Sequence, residues 1–258
     1  MLNNSMERNR RILELLESEP SVATARLAGW LGVSAMTVWR DLVALEERGL
    51  IKRLHGRISR ADRTQAEPDF QSKIDRFHAA KAAIAAYAAR HLIGTGDTLA
   101  MDGGTTVAAI GTQTLPSRLT VFTNSLNTAR LLIRHTSRPS VYCCGGLLRE
   151  QSETFIGREA LSFFCRRKVD RCFLSATGVD AEAGITDLTL EDNEVKQVMA
   201  ASAKEVILLA DRSKFGEVSL MEVLPWRRVR HLVTNATENQ LAPIRKIAPG
   251  LHVHVTKA

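Results

Sequence analysis

Residues 31–57 read Leu-Gly-Val-Ser-Ala-Met-Thr-Val-Trp-Arg-Asp-Leu-Val-Ala-Leu-Glu-Glu-Arg-Gly-Leu-Ile-Lys-Arg-Leu-His-Gly-Arg, and no other stretch limits the possible folds as strongly. Ser34 is placed to cap a helix by accepting a backbone N–H, and Gly49 to close it in a left-handed conformation. Between these ends Val38, Leu42 and Leu45 keep the i, i+4, i+7 spacing of a buried helix face. At about 100° of rotation per residue, Met36 and Arg40 fall on the opposite side, with Trp39 and Val43 flanking them. Upstream, Ile12, Leu13, Leu15 and Leu16 predict an amphipathic helix ending before Pro20, and residues 23–31 a second helix stopped by Gly32. Downstream, residues 50–59 alternate apolar and basic side chains, with Gly56 available for a turn. Three short helices, a Gly-containing turn and a basic hairpin outline a winged helix-turn-helix.

Arg48, Lys52, Arg53, Arg57 and Arg60 have no acidic residue between them, which concentrates positive field where phosphates would lie. A basic run alone is usually a solvated surface; joined to three capped helices, it points to DNA. The candidate contacts are Ser34, Met36, Thr37, Trp39 and Arg40 on the helix, and Lys52, Arg53, His55 and Arg57 on the wing. The net charge of +7, from 35 basic and 28 acidic residues, agrees with nucleic acid while leaving most of the surface mixed. No apolar run nears the roughly 18 residues that span a membrane, and the N-terminus has no apolar signal core, so a cytoplasmic location is expected. Cys143, Cys144, Cys165 and Cys172 match no zinc or redox spacing and read as reduced core thiols. No metal or cofactor is implied.

Residues 59–71 are polar, charged and interrupted by Pro68, as a linker should be. The expected domains are therefore 1–60, a linker over 61–72, and 73–258. The last begins with an alanine-rich helix over 73–92. Strands are expected at 98–101, 119–122, 140–143, 171–174, 206–210, 232–234 and 252–255, with helices at 106–113, 125–134, 158–164, 191–202 and 238–247. Such alternation predicts an α/β domain with a mostly parallel sheet covered on both faces.

In open parallel sheets the ligand crevice lies beyond the carboxyl ends of the strands, and here those ends carry small and polar residues. The first runs into Asp102, Gly103, Gly104, Thr105 and Thr106, where glycines allow close backbone approach and a helix start offers N–H groups to a phosphate. Others end in Thr123, Asn124 and Ser125, in Gly145 and Gly146, in Gly178 and Asp180, and in Asp211 and Lys214. Any one of these reads equally as a tight turn or a helix cap; their repetition at several strand ends suggests one shared site.

Both halves resemble the DeoR family of bacterial transcription regulators. The helix pattern Val-Ser-x-x-Thr-Ile-Arg-Arg-Asp-Leu is met by Val33, Ser34, Thr37, Val38, Arg40, Asp41 and Leu42, with Trp39 in place of the first arginine. The wing pattern His-Gly-Gly-Ala is met by His55 and Gly56, with Arg57 in place of the second glycine. Trp39 reads either as a stacking contact or as packing against the wing. In the second half, Asp-x-Gly-Thr-Thr, Thr-Asn-Ser, Gly-Gly, Gly-x-Asp, a Glu-x-x-x-Lys-like helix carrying Glu191, Glu194 and Lys196, and Asp-x-Ser-Lys-Phe at 211–215 follow the family. The resemblance implies a domain similar to phosphosugar isomerases and CoA transferases that senses a phosphorylated sugar or polyol. It implies that Gly104, Thr105 and Thr106 hold phosphate, that Lys214 or Lys196 adds charge, and that Asp102, Asn124 and Asp180 bond hydroxyls. Exposed ion pairing is the plainer reading of Lys196 and Glu194.

An enzyme is the competing class, since Asp102, Asp180, Asp211 and Lys214 supply the group types a sugar-phosphate isomerase needs. A linked DNA reader argues against it, and fold analogy does not decide it. An architectural DNA binder with a vestigial sugar domain is a third reading. The expected function is a repressor of a carbohydrate or polyol operon, binding operator DNA as a homodimer or higher homo-oligomer and released by a phosphorylated sugar.

Overall fold

The structure, a computed structural model, describes residues 5–19, 21–47, 50–54, 56–60 and 70–257. The chain divides into two compact units, Met1–Ala66 and Glu67–Ala258.

The first unit contains α1 (Ser5–Ser18), β1 (Ser21–Ala23), α2 (Thr24–Leu31), α3 (Ala35–Glu47), β2 (Ile51–Leu54) and β3 (Arg57–Arg60). Gly32 takes φ 66° and closes α2 in the left-handed region, where a Cβ would be unfavourable. Ser34 caps α3, its Oγ accepting the Thr37 N–H at 3.2 Å. Val38, Leu42 and Leu45 are buried against Ile12, Leu16, Leu27 and Ile58, so the periodicity identified the inner face. One strand was not legible. β1 pairs with the wing strand β3, placing Val22 opposite Ile58 in the order β1-β3-β2. Gly56 turns the wing with φ 73°, and its carbonyl accepts both the N–H and the hydroxyl of Thr24 at 2.9 Å.

In the second unit, α4 (Phe70–Asp75) and α5 (His78–His91) replace the single helix expected over 73–92. The break is at Phe77, whose φ of 55° no α-helix accommodates. α4 also begins inside the stretch read as linker, because Phe70 is buried there. The chain then runs β4 (Thr98–Met101), α6 (Thr105–Ala108), β5 (Thr120–Thr123), α7 (Leu126–Ile133), β6 (Ser140–Cys143), β7 (Leu147–Arg149), β8 (Thr154–Ile156), α8 (Arg158–Cys165) and β9 (Val169–Leu174). It continues through β10 (Gly178–Asp180), β11 (Gly184–Asp187), α9 (Leu190–Ser202), β12 (Ala203–Ala210), β13 (Met221–Leu224), β14 (His231–Thr234), α10 (Glu238–Ile247) and β15 (His252–Val255).

The seven expected strands form one parallel sheet in the order β15-β14-β12-β9-β4-β5-β6. Alternate residues feed two cores. Leu99, Met101, Phe173, Ile207 and Leu209 pack with Ile84, Ala85 and Ala88 of α5. Ala100, Cys172, Leu174, Val206 and Leu208 pack with Phe164, Val195, Met199 and Leu241 of α8, α9 and α10. Burial on both faces explains why these strands read as continuous apolar runs. From β4 the chain builds outward through β5 and β6, then returns to the other side of β4 as β9 and builds through β12, β14 and β15. The strand order therefore reverses between β4 and β9, where such sheets open a crevice.

Candidate DNA interface and ligand site

α3 is locked in rotation by its buried side. Arg8 of α1 clamps Asp41 with Nε–Oδ2 at 2.6 Å and Nη2–Oδ1 at 3.0 Å, and Ser5 Oγ donates to Asp41 at 2.8 Å. Met36, Trp39 and Arg40 consequently stay exposed on the opposite side. Trp39 is 54% exposed and lines a groove together with Arg53, Gly56 and Arg57 of the wing. Thr37 is half-buried and its hydroxyl lies 2.9 Å from Ser34 Oγ, which gives both residues a local capping role. On the wing, Arg57 is exposed, and Arg53, engaged by Glu46 at 3.1 Å, offers less net charge than expected. Lys52 lies in β2 with its side chain outside the described residues; His55, Arg48 and Gly49 lie outside them altogether, as does the side chain of Arg60.

At the sheet's switch point the first loop closes on itself. Asp102, fully buried after β4, accepts the Gly104 N–H at 2.8 Å through Oδ1. Its Oδ2 accepts the Ser175 N–H at 2.8 Å and the Ser175 hydroxyl at 2.9 Å. This joins the ends of β4 and β9 across 73 residues of chain. The glycines are required by that closure. A Cβ on Gly104 would lie 1.8 Å from Ser175 Oγ, and one on Gly103 would lie 1.9 Å from Thr154 Cγ2.

Lys196, expected either at the ligand or on an exposed helix face, is buried on α9 and fully engaged. Its ammonium donates to the Ser175 carbonyl at 3.1 Å, lies 3.3 Å from Asp102 Oδ2 and pairs closely with Asp187 at the end of β11. Burial works against this charge, but Asp187 and Asp102 outweigh it and raise the lysine above its ordinary value. For Asp187, burial likewise opposes ionisation and Lys196 outweighs it, so the carboxyl sits below its usual range. Two carboxylates around one ammonium leave no positive charge for an anion. Asp102 and Lys196 are thus framework for the crevice. Glu194 is exposed, as its plainer reading had it.

Positive charge gathers instead at the end of β12. Asp211 is buried there, with Oδ1 accepting the Ser213 N–H at 2.9 Å and Oδ2 without a hydrogen-bond partner. Lys214 follows it, and Lys81 of α5, 6% exposed, lies within electrostatic reach of both. Burial pushes Lys81 down to about 8; Asp211 opposes this, while Lys214, Arg76 and Lys73 reinforce it. Burial also lowers Lys214, with Asp211 again opposing. Lys214 is in turn within reach of Asp187, which ties this cluster to the one around Lys196.

The remaining candidates divide. Thr105 is half-buried and Thr106 buried at the start of α6. Asn124 is buried with an unpartnered Oδ1. Thr123 and Ser125 are committed to local structure: the Thr123 hydroxyl donates to the Met101 carbonyl at 2.7 Å, and Ser125 Oγ caps α7 by accepting the Thr128 N–H at 3.1 Å. Gly146 takes φ 125°, and a Cβ there would meet the Ile156 carbonyl at 2.4 Å. Gly145 is exposed with open space around it. Gly178 must be glycine because the Glu217 carbonyl passes 2.4 Å from where its Cβ would stand. Asp180 spends its carboxylate on the β10–β11 turn, accepting the Glu182 and Ala183 N–H groups at 2.8 and 2.9 Å, so it is not brought to the lysines.

Sequence reasoning missed Lys81, Ser175 and Asp187. Lys81 had a signal: it precedes Ile84, Ala85 and Ala88 by three, four and seven residues, on the inward face of an otherwise apolar helix. The cysteine reading also needs correction, because Cys144 and Cys172 are buried thiols raised by desolvation but Cys143 and Cys165 are exposed; all four are free. Among the described residues no group of side chains suits a metal ion, and no helix is long and apolar enough to cross a membrane.

A family model described as a DeoR-like helix-turn-helix domain matches residues 8–64, and one described as the DeoR C terminal sensor domain matches residues 76–236. The chain is 31% identical to HTH-type transcriptional regulator GolR of Listeria innocua, over 91% of this chain and 92% of that one. It is 31% identical to a lactose phosphotransferase system repressor of Staphylococcus epidermidis, over 95% and 96% of the two chains. The solved structure of the full-length Sorbitol Operon Regulator SorC from Klebsiella pneumoniae aligns over 94% of this chain and 99% of that one, at a TM-score of 0.43 and 12% identity. Relatives named as regulators and repressors set the isomerase alternative aside. Matched by the family's domain models in both of its units, the chain belongs to the DeoR family and is a DNA-binding transcriptional regulator rather than an enzyme.

Proposed function

We propose that this regulator represses a carbohydrate or polyol operon in the cytoplasm and releases its operator when a phosphorylated sugar or polyol occupies the sensor crevice. The observation that carries the reading is the pair Lys81 and Lys214 beside Asp211, whose Oδ2 has no hydrogen-bond partner. Lys81, buried and donating to the Lys73 carbonyl, and half-buried Lys214 share this one carboxylate, an arrangement that further negative charge would stabilise. A phosphate supplies that charge and an unmodified sugar does not. In this arrangement the two lysines hold phosphate with the Thr105 and Thr106 hydroxyls as further donors, while Asn124 Oδ1 and Asp211 Oδ2 accept from sugar hydroxyls. A relative named as a lactose phosphotransferase system repressor is consistent with a carbohydrate signal.

Release follows if the occupied sensor favours a conformation that holds DNA poorly, in which case DNA weakens effector binding by the same factor. A homodimer or higher oligomer matches two-fold operators. The test is a thermal-shift panel of sugars and their phosphates with the full chain, followed by operator titration with each hit. A native-state ligand stabilises by RT ln(1 + [L]/Kd); phosphorylated compounds should raise the melting temperature, and Lys81→Met or Lys214→Ala should abolish most of the rise. Equal shifts from neutral sugars, unaffected by either substitution, would reject the reading.

A further inference from the structure

Met36 and Trp39 are two large apolar side chains, 59% and 54% exposed, three residues apart on the outward face of α3. Their orientation is imposed: Val38, Leu42 and Leu45 bury the opposite face, and the Arg8–Asp41 clamp prevents the helix from rolling. Beside Trp39 lies an open groove of about 480 Å³, floored by Ala25, Ala28, Val38 and Leu42 and bordered on the wing side by Arg57. Trp39 lines that groove and, with Met36, presents apolar surface to water next to exposed Arg40.

The chemistry of these side chains restricts what they can read. Methionine has no hydrogen-bond donor and only a weak acceptor, and tryptophan has one donor, the indole N–H. In the major groove guanine, adenine and cytosine show donors and acceptors, and the thymine 5-methyl group is the only apolar mark. Placing Met36 or Trp39 against a polar edge would desolvate that edge without a partner. Against a thymine methyl, both surfaces leave water together. Arg40, one turn beyond Met36, keeps a charged contact alongside.

We propose that Met36 and Trp39 form an apolar reader of thymine 5-methyl groups, so that the operator half-site carries thymines opposite the middle of α3. Burial of one methyl is worth about fourfold in affinity.

The experiment selects sites from a randomised duplex pool with the full-length protein, then replaces each thymine of the selected half-site by deoxyuridine and measures affinity by anisotropy at fixed salt. The expected result is a thymine-containing core in which one or two deoxyuridine replacements each weaken binding about three- to fivefold. Met36→Ala and Trp39→Ala should each erase the penalty at their own position, while circular dichroism shows the unit still folded. Deoxyuridine at every thymine leaving affinity within twofold of the parent overturns the proposal, as does a selected site without thymine or a pool that fails to enrich. A guanine requirement lost on Trp39→Phe also overturns it, because the indole N–H would then be the reading group.

Discussion

Replacing Lys196 by Met tests whether the buried ion network holds the strand ends of the sensor unit together. Methionine keeps much of the length and apolar stem but removes the charge and the contacts to Ser175, Asp102 and Asp187. Asp102 retains the Gly104 and Ser175 donors, and Asp187 retains Thr177 Oγ1 at 2.6 Å and the Leu188 N–H at 2.9 Å. What disappears is the cation between two buried carboxylates, and breaking a buried pair by removing one partner typically costs about 3–5 kcal/mol. For a unit of this size roughly 2–4 °C accompanies each kcal/mol, so the sensor transition should fall by about 6–20 °C near neutral pH. The pH dependence has a definite sign. In the parent, the depressed folded-state value of Asp187 gives stability that is present above its unfolded value and is lost as pH falls through the folded one. In the variant, Asp187 loses the cation that outweighed its burial, so its carboxyl rises above its unfolded value and protonation relieves the strain. The deficit should therefore be largest at about pH 7–8 and shrink toward about pH 5. Calorimetry of both proteins across that range, together with Asp187→Asn/Lys196→Met, measures it; the double variant should lose less than the single one. A deficit below about 1 kcal/mol, or one that does not shrink on acidification, would refute the argument.

Arg40→Ala should weaken the selected operator by about 1–3 kcal/mol and random DNA much less if Arg40 makes a bidentate base contact; equal losses in anisotropy titrations would make it a phosphate contact. Arg57→Ala should weaken all duplexes alike and reduce the slope of log K against log salt by about one counterion, and an unchanged slope would remove it from the interface. Gly104→Ala should abolish effector binding in calorimetric titration while operator binding persists, since its Cβ would meet Ser175 Oγ at 1.8 Å and displace the loop. Lys81 lies at about 8 without effector. An arriving anion raises that value, so binding takes up protons and should weaken as pH rises through about 8; a flat profile in titrations from about pH 7 to 9 would place the phosphate elsewhere.

Periodicity and caps made the elements legible. Ser34 and Gly32 mark helix ends through bonds to backbone only a few residues away, and Val38, Leu42 and Leu45 share a face by helical geometry alone. The seven sheet strands were readable because burial on both faces makes each an apolar run. The break at Phe77, the strand β1 and the antiparallel strands β7, β8, β10, β11 and β13 were not; Val22, for one, becomes a strand residue because Ile58 lies beside it. The candidate site divides in the same way. That polar residues end the strands is a local fact, but which face the ligand and which are spent on structure depends on strand order. Asp102 meets Ser175 only because β9 returns beside β4, and the charge of Lys196 is compensated by Asp187 only because α9 lays it between two carboxylates. Lys81 comes within electrostatic reach of Asp211 and Lys214 only once α5 packs against the sheet near the end of β12. Hydrogen bonds within a turn are written in adjacent residues; the electrostatic balance of a buried site is a sum over charges that only tertiary packing brings together.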